Sequence, residues 1–211
     1  IDVQESIENP KLYYDVNVLG SKNIFELAIE NEIKVVFASS ASVYGDVKNI
    51  PIKETNLLNP INPYGETKLE IEKISSSLKN DGLKAIGLRY FNVFGEGQSS
   101  AYAGVITKFF QNLKKGIQPV IFGNGLQIRD FIFVEDVVNA NLSAMNKIDS
   151  GIFNIGSGQG IQILDLANYM INSFGFDFSP IFEPALKNDI KQSVADINLV
   201  QETIDWNPKI T

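Results

Sequence analysis

A tyrosine and a lysine stand four residues apart in this sequence, in the segment Tyr64-Gly65-Glu66-Thr67-Lys68. On a helix, positions i and i+4 share one face, so the two side chains would lie close together. A free tyrosine has a pKa of about 10, but a nearby ammonium group and the positive N-terminal end of a helix both favour the phenolate and lower that pKa. The pair is therefore a candidate proton acceptor. A tyrosine and a lysine on the exposed face of an amphipathic helix would show the same spacing.

Histidine and cysteine are absent from the 211 residues, and this narrows the available chemistry. Without imidazole or thiolate groups there is no Ser-His-Asp triad, thiolate nucleophile, disulfide or zinc–thiolate site, and we expect no metal centre. Acid–base chemistry near neutral pH must come from Tyr, Lys, Asp, Glu or a hydroxyl group. The formal charge of −7 also argues against nucleic acid or an anionic membrane surface as a partner.

A hydroxyl group at the end of a predicted strand is the third candidate. Residues 35–38 form a short apolar run rich in β-branched side chains, which indicates a buried strand, and Ser40 follows it. Active-site residues of open parallel sheets lie at the carboxyl ends of the strands. Ser40 could there hydrogen-bond a substrate hydroxyl group and pass its proton toward Tyr64. A polar turn at the exit of the strand is the alternative.

Helical and strand-like segments alternate over the first two-thirds of the chain. Apolar spacing predicts helices at 13–31 and 64–80 and buried strands at 35–38 and 85–88. This order argues for a parallel α/β sheet with right-handed crossovers. Beyond residue 95 the alternation of helices and strands becomes less regular, and we place a domain boundary at this residue. The later part is predicted to hold helices at 104–115, 135–147 and 163–174 and short strands at 119–122, 130–133 and 152–155.

Several motifs occur in a fixed order along the chain: Ser39-Ser40-Ala41-Ser42-Val43-Tyr44-Gly45, then Pro63-Tyr64-Gly65-Glu66-Thr67-Lys68, then Arg89-Tyr90-Phe91-Asn92. Together they resemble the extended short-chain dehydrogenase/reductase family. Within it, the sequence is most similar to the NAD-dependent nucleotide-sugar epimerases, of the UDP-glucose and UDP-N-acetylglucosamine 4-epimerase type. Further matching segments extend nearly to the C-terminus, at 121–125, 127–134, 154–158 and 193–196.

The resemblance implies a Rossmann-type, doubly wound parallel sheet in residues 1–95, which would bind NAD and carry the catalytic residues. Residues 96–211 would form a smaller, mixed part that binds the nucleotide sugar, with some segments returning to the sheet. Epimerisation at C4 of UDP-glucose, UDP-galactose or their N-acetylated analogues would pass through a 4-keto intermediate. The family commonly forms homodimers, and we expect helices 13–31 and 64–80 to build that interface.

The resemblance also implies a role for each residue that would meet the cofactor. Tyr64 would be the catalytic base and acid, Lys68 would lower its pKa and hold the nicotinamide ribose, and Ser40 would orient the sugar hydroxyl group. Asn17 and Phe91 would join these three in binding NAD. The alternatives are a helix-face asparagine hydrogen-bonded within the protein and a phenylalanine at the rim of the core.

Five residues would bind the substrate. Asn92 would contact the diphosphate, Phe122 would pack beside the uracil, Arg129 would bind phosphate, and Asp189 would fit a contact to the uridine ribose. An ion pair of Arg129 with Asp130 or another surface acid is the alternative for the arginine. The full predicted set is Asn92, Val105, Phe122, Arg129 and Asp189.

Two departures from the family's pattern affect these expectations. The family begins with a glycine-rich strand–turn–helix that cradles the cofactor pyrophosphate, and this sequence contains none. We therefore expect about 60–75 further residues before Ile1, and little activity from the chain alone. The family's Arg-x-Gly-Asp motif is altered, with Leu186 in place of the arginine and the point charge of Lys187 beside it. Ser193 matches a position where a small residue admits N-acetylated sugars, which favours the larger substrates.

Other functions on the same fold remain open. Related 4,6-dehydratases carry Asp-Glu immediately after the strand-end hydroxyl, where this sequence has Ala41 and Ser42. An NADP-dependent reductase or a non-catalytic nucleotide-sugar-binding protein would share most of the motifs. The opening residues do not form a signal peptide, and no apolar stretch is long enough to span a membrane, so we expect a cytoplasmic protein.

Overall fold

The computed structural model of the chain describes residues 3–98, 104–186 and 189–210. Its strands are β1 (Val35–Ser40), β2 (Ala85–Tyr90), β3 (Asn92–Phe94), β4 (Val120–Phe122), β5 (Ile128–Phe133), β6 (Gly151–Ile155), β7 (Gly160–Gln162), β8 (Ile181–Glu183) and β9 (Gln192–Ser193). Its α-helices are α1 (Val3–Glu8), α2 (Pro10–Tyr13), α3 (Gly20–Glu30), α4 (Pro63–Ser77), α5 (Val105–Lys114), α6 (Val134–Lys147), α7 (Ile163–Ser173) and α8 (Asn198–Ile204).

The main sheet is parallel, as predicted, with the strand order β1-β2-β6. Helix α4 joins β1 to β2, which gives the crossover that a parallel pair requires. The two predicted strands each continue two residues beyond their expected ends, because Ser39 pairs with Arg89 and Ser40 with Tyr90. Ser40 is therefore the last residue of a strand, and its position at the carboxyl edge of the sheet is fixed by backbone pairing.

Helices cover both faces of this sheet, which makes the fold doubly wound. One face is covered by α3 and α4, which supply Phe25, Ala28 and Ile71 to a cluster with the strand residue Ala85. The opposite face carries the largest buried cluster, to which α6 and α8 contribute. Its members are Ile86, Leu88, Ile132, Val137, Ala140, Ala144, Phe153, Ile155, Val200, Ile204 and Trp206.

The later part of the chain forms smaller sheets around β5. Strand β5 pairs in parallel with β3 and β9 and antiparallel with β7, and β4 pairs in parallel with β8. The pairing of β5 with β9 places Ser193 opposite Arg129. Strand β6 lies beyond residue 95 but pairs with β2 of the main sheet. The division at residue 95 stays a prediction.

The helix predicted at 13–31 is a succession of helical types. The segment Tyr14–Leu19 is a π-helix between α2 and α3. Pro10 is the first residue of α2, a position whose backbone N–H has no partner within the helix, so proline costs no hydrogen bond there. π-helical turns are rare and are frequent at functional sites. Here the π-helix presents Asn17 to α4.

Several short strands were not predicted from the sequence. Strands β3, β7, β8 and β9 have only two or three residues, too few to show a period.

Candidate active site

The structure brings the three predicted catalytic residues together at the carboxyl end of β1. Tyr64 and Lys68 lie on the first turns of α4, and the Ser40 side chain lies near enough to Tyr64 to lower the pKa of the phenol. The Ser40 hydroxyl group itself donates to the hydroxyl group of Ser42, at 3.1 Å. The ammonium nitrogen of Lys68 lies 5.8 Å from the centroid of the Tyr64 ring. It donates a hydrogen bond to the backbone oxygen of Ala38, at 2.9 Å. The phenol, the ammonium group and the hydroxyl group thus share one small region.

The first turn of α4 is built to approach the end of β1. The Asn62 side chain caps the helix by accepting a hydrogen bond from the backbone N–H of Gly65, at 2.8 Å, and Pro63 occupies the first helical position. A Cβ atom at Gly65 would lie 2.7 Å from the backbone oxygen of Ser42. Glycine is therefore needed for the helix to lie this close to the strand exit, and this approach brings Tyr64 to Ser40.

The electrostatics of Tyr64 differ from the prediction. Burial raises the pKa of Tyr64, and the hydrogen bond with Ser40 offsets only part of that rise. Burial lowers the pKa of Lys68. The expected lowering of the Tyr64 pKa by Lys68 is therefore reversed, because desolvation of the phenolate dominates and the ammonium group is directed to the carbonyl of Ala38.

Lys68 fits the role of a ligand for a ribose diol. Its side chain is buried, and it has no ion pair with any carboxylate among the residues that the structure describes. An ammonium group has three N–H donors, and the carbonyl of Ala38 takes one of them. A buried cation with donor capacity beyond that bond is suited to hydroxyl acceptors, so this residue is compatible with bound NAD.

Asn17 and Phe91 are both engaged within the protein. The Asn17 side-chain amide donates to the hydroxyl group of Thr67, at 3.0 Å, and Thr67 donates to the backbone oxygen of Tyr64, at 2.8 Å. Phe91 is buried in a cluster that includes Tyr44 and also lines a small cavity at the sheet edge. Both placements agree with the alternatives stated above, and a role in cofactor binding stays a prediction for both residues.

A cavity of about 90 Å³ opens at the carboxyl ends of β1 and β2. Ser40, Asn92, Arg129 and Ser193 all line it, although they lie far apart in the sequence. The side-chain amide of Asn92 donates to the backbone oxygen of Asp130, at 2.8 Å, which holds this residue at the rim. The cavity therefore joins the predicted catalytic hydroxyl to two predicted substrate ligands.

Arg129 lies between this cavity and two larger ones. It also lines a cavity of about 300 Å³ with Asn92 and Val105, and one of about 140 Å³ with Val105, Phe122 and Asp189. Burial lowers the pKa of Arg129, and the nearby carboxylate of Asp189 acts in the opposite direction. The structure thus places the other four predicted substrate residues in cavities that Arg129 also lines.

Arg129 pairs with Asp189, at 2.8 Å. The alternative of an ion pair with another surface acid is therefore confirmed, whereas the pairing with Asp130 is wrong. Successive side chains on a strand point to opposite faces, so Asp130 lies on the other side of β5 from Arg129. A groove of about 600 Å³ continues from Asp189 past Phe122 and Leu186. Lys187, the expected substitute for the missing arginine, lies outside the described residues.

Asp130, expected from the sequence as a surface acid, is buried. It is fully inaccessible to solvent, and its carboxylate accepts four hydrogen bonds: from the Ser157 hydroxyl at 2.6 Å, the Ser157 N–H at 2.7 Å, and the N–H groups of Gly158 and Ala195 at 3.0 Å each. Burial raises its pKa, and these hydrogen bonds counteract the rise. A Cβ atom at Gly156 would lie 2.6 Å from the carboxylate, so the glycine-rich loop is shaped around Asp130.

Among residues 3–98, 104–186 and 189–210, no three acidic side chains converge in a way that could hold a metal ion. No helix in the same ranges has both the length and the hydropathy needed to cross a bilayer.

A doubly wound parallel sheet with a Ser-Tyr-Lys cluster at its carboxyl edge defines a Rossmann-type protein of the extended short-chain dehydrogenase/reductase class. Residues 1–156 match the NAD dependent epimerase/dehydratase family, to which the chain therefore belongs. The predicted family and fold class are confirmed.

Three known proteins show the extent of the similarity. A putative UDP-glucose 4-epimerase of Methanocaldococcus jannaschii is 38% identical over 216 residues, covering 100% of this chain and 70% of that protein. A UDP-glucose 4-epimerase of Thermotoga maritima, solved with UDP-glucose, has a TM-score of 0.95 at 35% identity, covering 100% of this chain and 70% of the other. A UDP-N-acetylglucosamine 4-epimerase of Methanobrevibacter ruminantium, solved with UDP-N-acetylmuramic acid, has a TM-score of 0.93 at 34% identity, covering 99% and 68%.

Proposed function

We propose that this protein inverts the configuration at C4 of a UDP-linked sugar, as an NAD-dependent epimerase. The observation that carries the proposal is the contact of Tyr64 with Ser40 beside the buried ammonium group of Lys68. Family membership and the 4-epimerase names of the similar proteins support the same reaction.

The residues of this chain supply proton transfer and orientation. Ser40 hydrogen-bonds the C4 hydroxyl group of the sugar, and the oxygen of Tyr64 takes its proton and later returns it. Lys68 would hold the ribose of the cofactor through the donors that the Ala38 carbonyl leaves free. NAD, when bound, supplies the reversible oxidation of C4 to a ketone, from which the opposite configuration can form. Burial raises the pKa of Tyr64, and Ser40 acts in the opposite direction, toward the phenolate.

The position of Arg129 supports a nucleotide diphosphate as the linking group. Its guanidinium group borders the small cavity that contains Ser40 and also the cavity that contains Phe122. A diphosphate that joins a sugar at the first to a base at the second would pass this side chain. Arg129 donates one hydrogen bond to Asp189 and one to the backbone oxygen of Ile128. The remaining N–H groups of its planar guanidinium group can bind phosphate oxygens.

The sugar pocket supports the N-acetylated substrates. Ser193 lines the same cavity as Ser40 and is a small residue at the position where the bulk of the sugar would lie. Ala41 and Ser42 also line this cavity, and neither is an acid, so the acid and base that elimination of water would need are missing at these two positions. The first observation favours a UDP-N-acetylhexosamine as the substrate, and the second favours epimerisation over dehydration.

Product analysis tests the proposed reaction. The full-length protein is incubated with UDP-N-acetylglucosamine or UDP-glucose that carries deuterium at C4, and the products are separated by chromatography and weighed by mass spectrometry. We expect the C4 epimer with the deuterium retained, because the deuteride removed from C4 returns to the same carbon. A 4-keto-6-deoxy sugar or a net reduced sugar would contradict the proposal and favour the dehydratase or the reductase.

Replacing Ser40 by alanine should change the pH dependence of the reaction. The hydrogen bond with Ser40 lowers the pKa of Tyr64, so its loss raises that pKa further and leaves less phenolate near neutral pH. We expect the acidic limb of the kcat/KM profile to move to higher pH, with a loss of about 10–100-fold at pH 7. Ser76→Ala, at an exposed serine on α4, is the matched control. An unmoved limb in Ser40→Ala would exclude this role for the hydroxyl group.

We infer that the full-length protein pairs through the helical region before β1. Large apolar side chains on the π-helix and α3 are exposed, among them Val16 at 63%, Ile24 at 54% and Leu27 at 54%. The exposed residues of α4 are polar, so the expected contribution of that helix is smaller. Leu27→Glu should convert the dimer to a monomer in analytical ultracentrifugation, whereas Leu57→Glu, at an 83% exposed loop residue, should not. A wild-type protein that sediments as a monomer would disprove the inference.

The cytoplasmic location stays a prediction from the sequence.

A further inference from the structure

One ion pair is far more buried than the others. Glu72 and Arg89 are each 5% exposed, with the Arg89 Nη2 atom 2.7 Å from Oε2 of Glu72 and the Nε atom 2.9 Å from Oε1. Every other ion pair in the described ranges has a partner that is at least 31% exposed. The contact is bidentate, which fixes the relative orientation of the two side chains.

Hydrogen bonds extend this ion pair into the segments that build the site. Ser39, the neighbour of Ser40, donates to Oε1 of Glu72. Arg89 also donates to the hydroxyl group of Tyr44, at 2.7 Å, and its guanidinium carbon lies 4.9 Å from the centroid of the Tyr44 ring. Tyr44 in turn donates to the side chain of Asn154 on β6, at 2.7 Å. The network thus joins the end of β1, the following loop, α4, β2 and β6.

Each member of the ion pair is close in sequence to residues of the proposed site. Glu72 follows Lys68 by four residues and Tyr64 by eight, so all three lie along one face of α4. Arg89 lies on β2 just before Tyr90, Phe91 and Asn92. A shift of α4 along the sheet would therefore break the bidentate contact and separate Tyr64 from Ser40 at the same time.

Stability alone does not account for a buried ion pair. The desolvation of two charges offsets most of their attraction, and well-packed apolar residues of similar volume are often as stable. Burial lowers the pKa of Arg89, but the hydrogen bonds and charge of Glu72, together with Tyr44, raise it above its ordinary value. Burial raises the pKa of Tyr44 to about 12. Arg89 therefore stays charged and Tyr44 neutral over the working pH range, which gives the network one constant arrangement.

We propose that Glu72 and Arg89 are positioning residues, whose buried ion pair sets α4 against the end of β1 so that the Tyr64 oxygen meets the Ser40 hydroxyl group. The proposal rests on the proposed function for its catalytic consequence. Neither side chain lines the cavity that contains Ser40, so both act through Tyr64. Displacements of about 1 Å in catalytic geometry can reduce rates by about 100-fold.

A paired apolar substitution separates positioning from stabilisation. In the full-length protein, Glu72→Leu or Arg89→Leu alone leaves a buried unpaired charge and should lower the unfolding midpoint, whereas the double variant Glu72→Leu/Arg89→Leu removes both charges and should largely restore it. In the double variant we expect kcat to stay about 100-fold below wild type, with KM within about threefold. The matched control is Glu70→Leu/Lys73→Leu, which removes an exposed ion pair from the same helix and should change neither constant.

A second measurement needs no catalysis. The alkaline titration of the Tyr64 phenol is followed as the ultraviolet difference between each protein and the same protein carrying Tyr64→Phe. In Glu72→Leu/Arg89→Leu this titration should move to higher pH, because the phenolate loses its hydrogen bond with Ser40. A double variant that keeps the wild-type kcat and the wild-type Tyr64 titration overturns the proposal, and the ion pair is then structural only.

Two further outcomes keep the test decisive. If the double variant does not fold, Glu72→Asp retains the charge and shortens the side chain by one methylene group. We then expect about a tenfold loss of kcat at constant KM and an upward-moving titration, and a fully active Glu72→Asp variant overturns the proposal. If the wild-type protein epimerises no nucleotide sugar, the proposed function fails, and the Tyr64 titration still decides whether the ion pair positions the phenol.

Discussion

The variant Tyr64→Phe should lose about 10²–10⁴-fold in kcat for C4 epimerisation, which is the usual contribution of a positioned acid–base group. The substitution removes the one oxygen that can take the C4 hydroxyl proton and leaves the ring in place. KM for the nucleotide sugar should stay within about threefold, because the substrate contacts proposed for Arg129 and Phe122 are untouched. The unfolding free energy should fall by only about 1 kcal/mol, the typical value of one hydrogen bond. Steady-state kinetics and urea unfolding measure these quantities.

The control for this variant is Tyr169→Phe. Tyr169 is 71% exposed on α7, so the same loss of a hydroxyl group should leave kcat, KM and stability unchanged. A Tyr64→Phe protein with wild-type kcat would remove Tyr64 from the mechanism. A binding-only function would instead be indicated if wild-type and Tyr64→Phe proteins bound the nucleotide sugar equally well and neither turned it over.

The variant Asp130→Ala should have the largest effect on stability, a loss of about 3–5 kcal/mol in the free energy of unfolding. The carboxylate accepts hydrogen bonds from the N–H groups of Ser157, Gly158 and Ala195 and from the Ser157 hydroxyl group. Truncation leaves these donors buried without that acceptor. The urea unfolding midpoint should therefore fall strongly, and the glycine-rich loop should become accessible to proteases.

Asp130→Asn distinguishes hydrogen bonding from packing at this site. The amide oxygen can accept some of the four hydrogen bonds, but the amide group brings two donors into a cluster of donors. We expect a stability between that of wild type and that of Asp130→Ala. Asp177→Asn, at an exposed loop position, should change the unfolding free energy by less than about 0.5 kcal/mol. An Asp130→Ala protein as stable as wild type would show that water satisfies these donors.

Local sequence determined the parallel α/β architecture and the central residues of the site. Apolar periodicity over segments of ten or more residues predicted α4, α5, α6 and α7 to within a few residues, because each of these helices buries one face. The short β-branched runs predicted β1 and β2. The spacing of Tyr64 and Lys68 on one helical face, with Ser40 at a strand end, needed only the periods of a helix and a strand.

Only the tertiary structure decided which partner each polar side chain meets. Arg129 pairs with Asp189 from 60 residues away, Asp130 faces the loop at 157–158, and Glu72 on α4 meets Arg89 on β2. The first two contacts depend on the pairing of β3, β7 and β9 with β5, and strands of two or three residues carry no detectable period. The third depends on the packing of α4 against the main sheet. The direction of the pKa shift of Tyr64 was also decided by the tertiary structure, because desolvation depends on how many atoms from distant segments exclude water from the phenol.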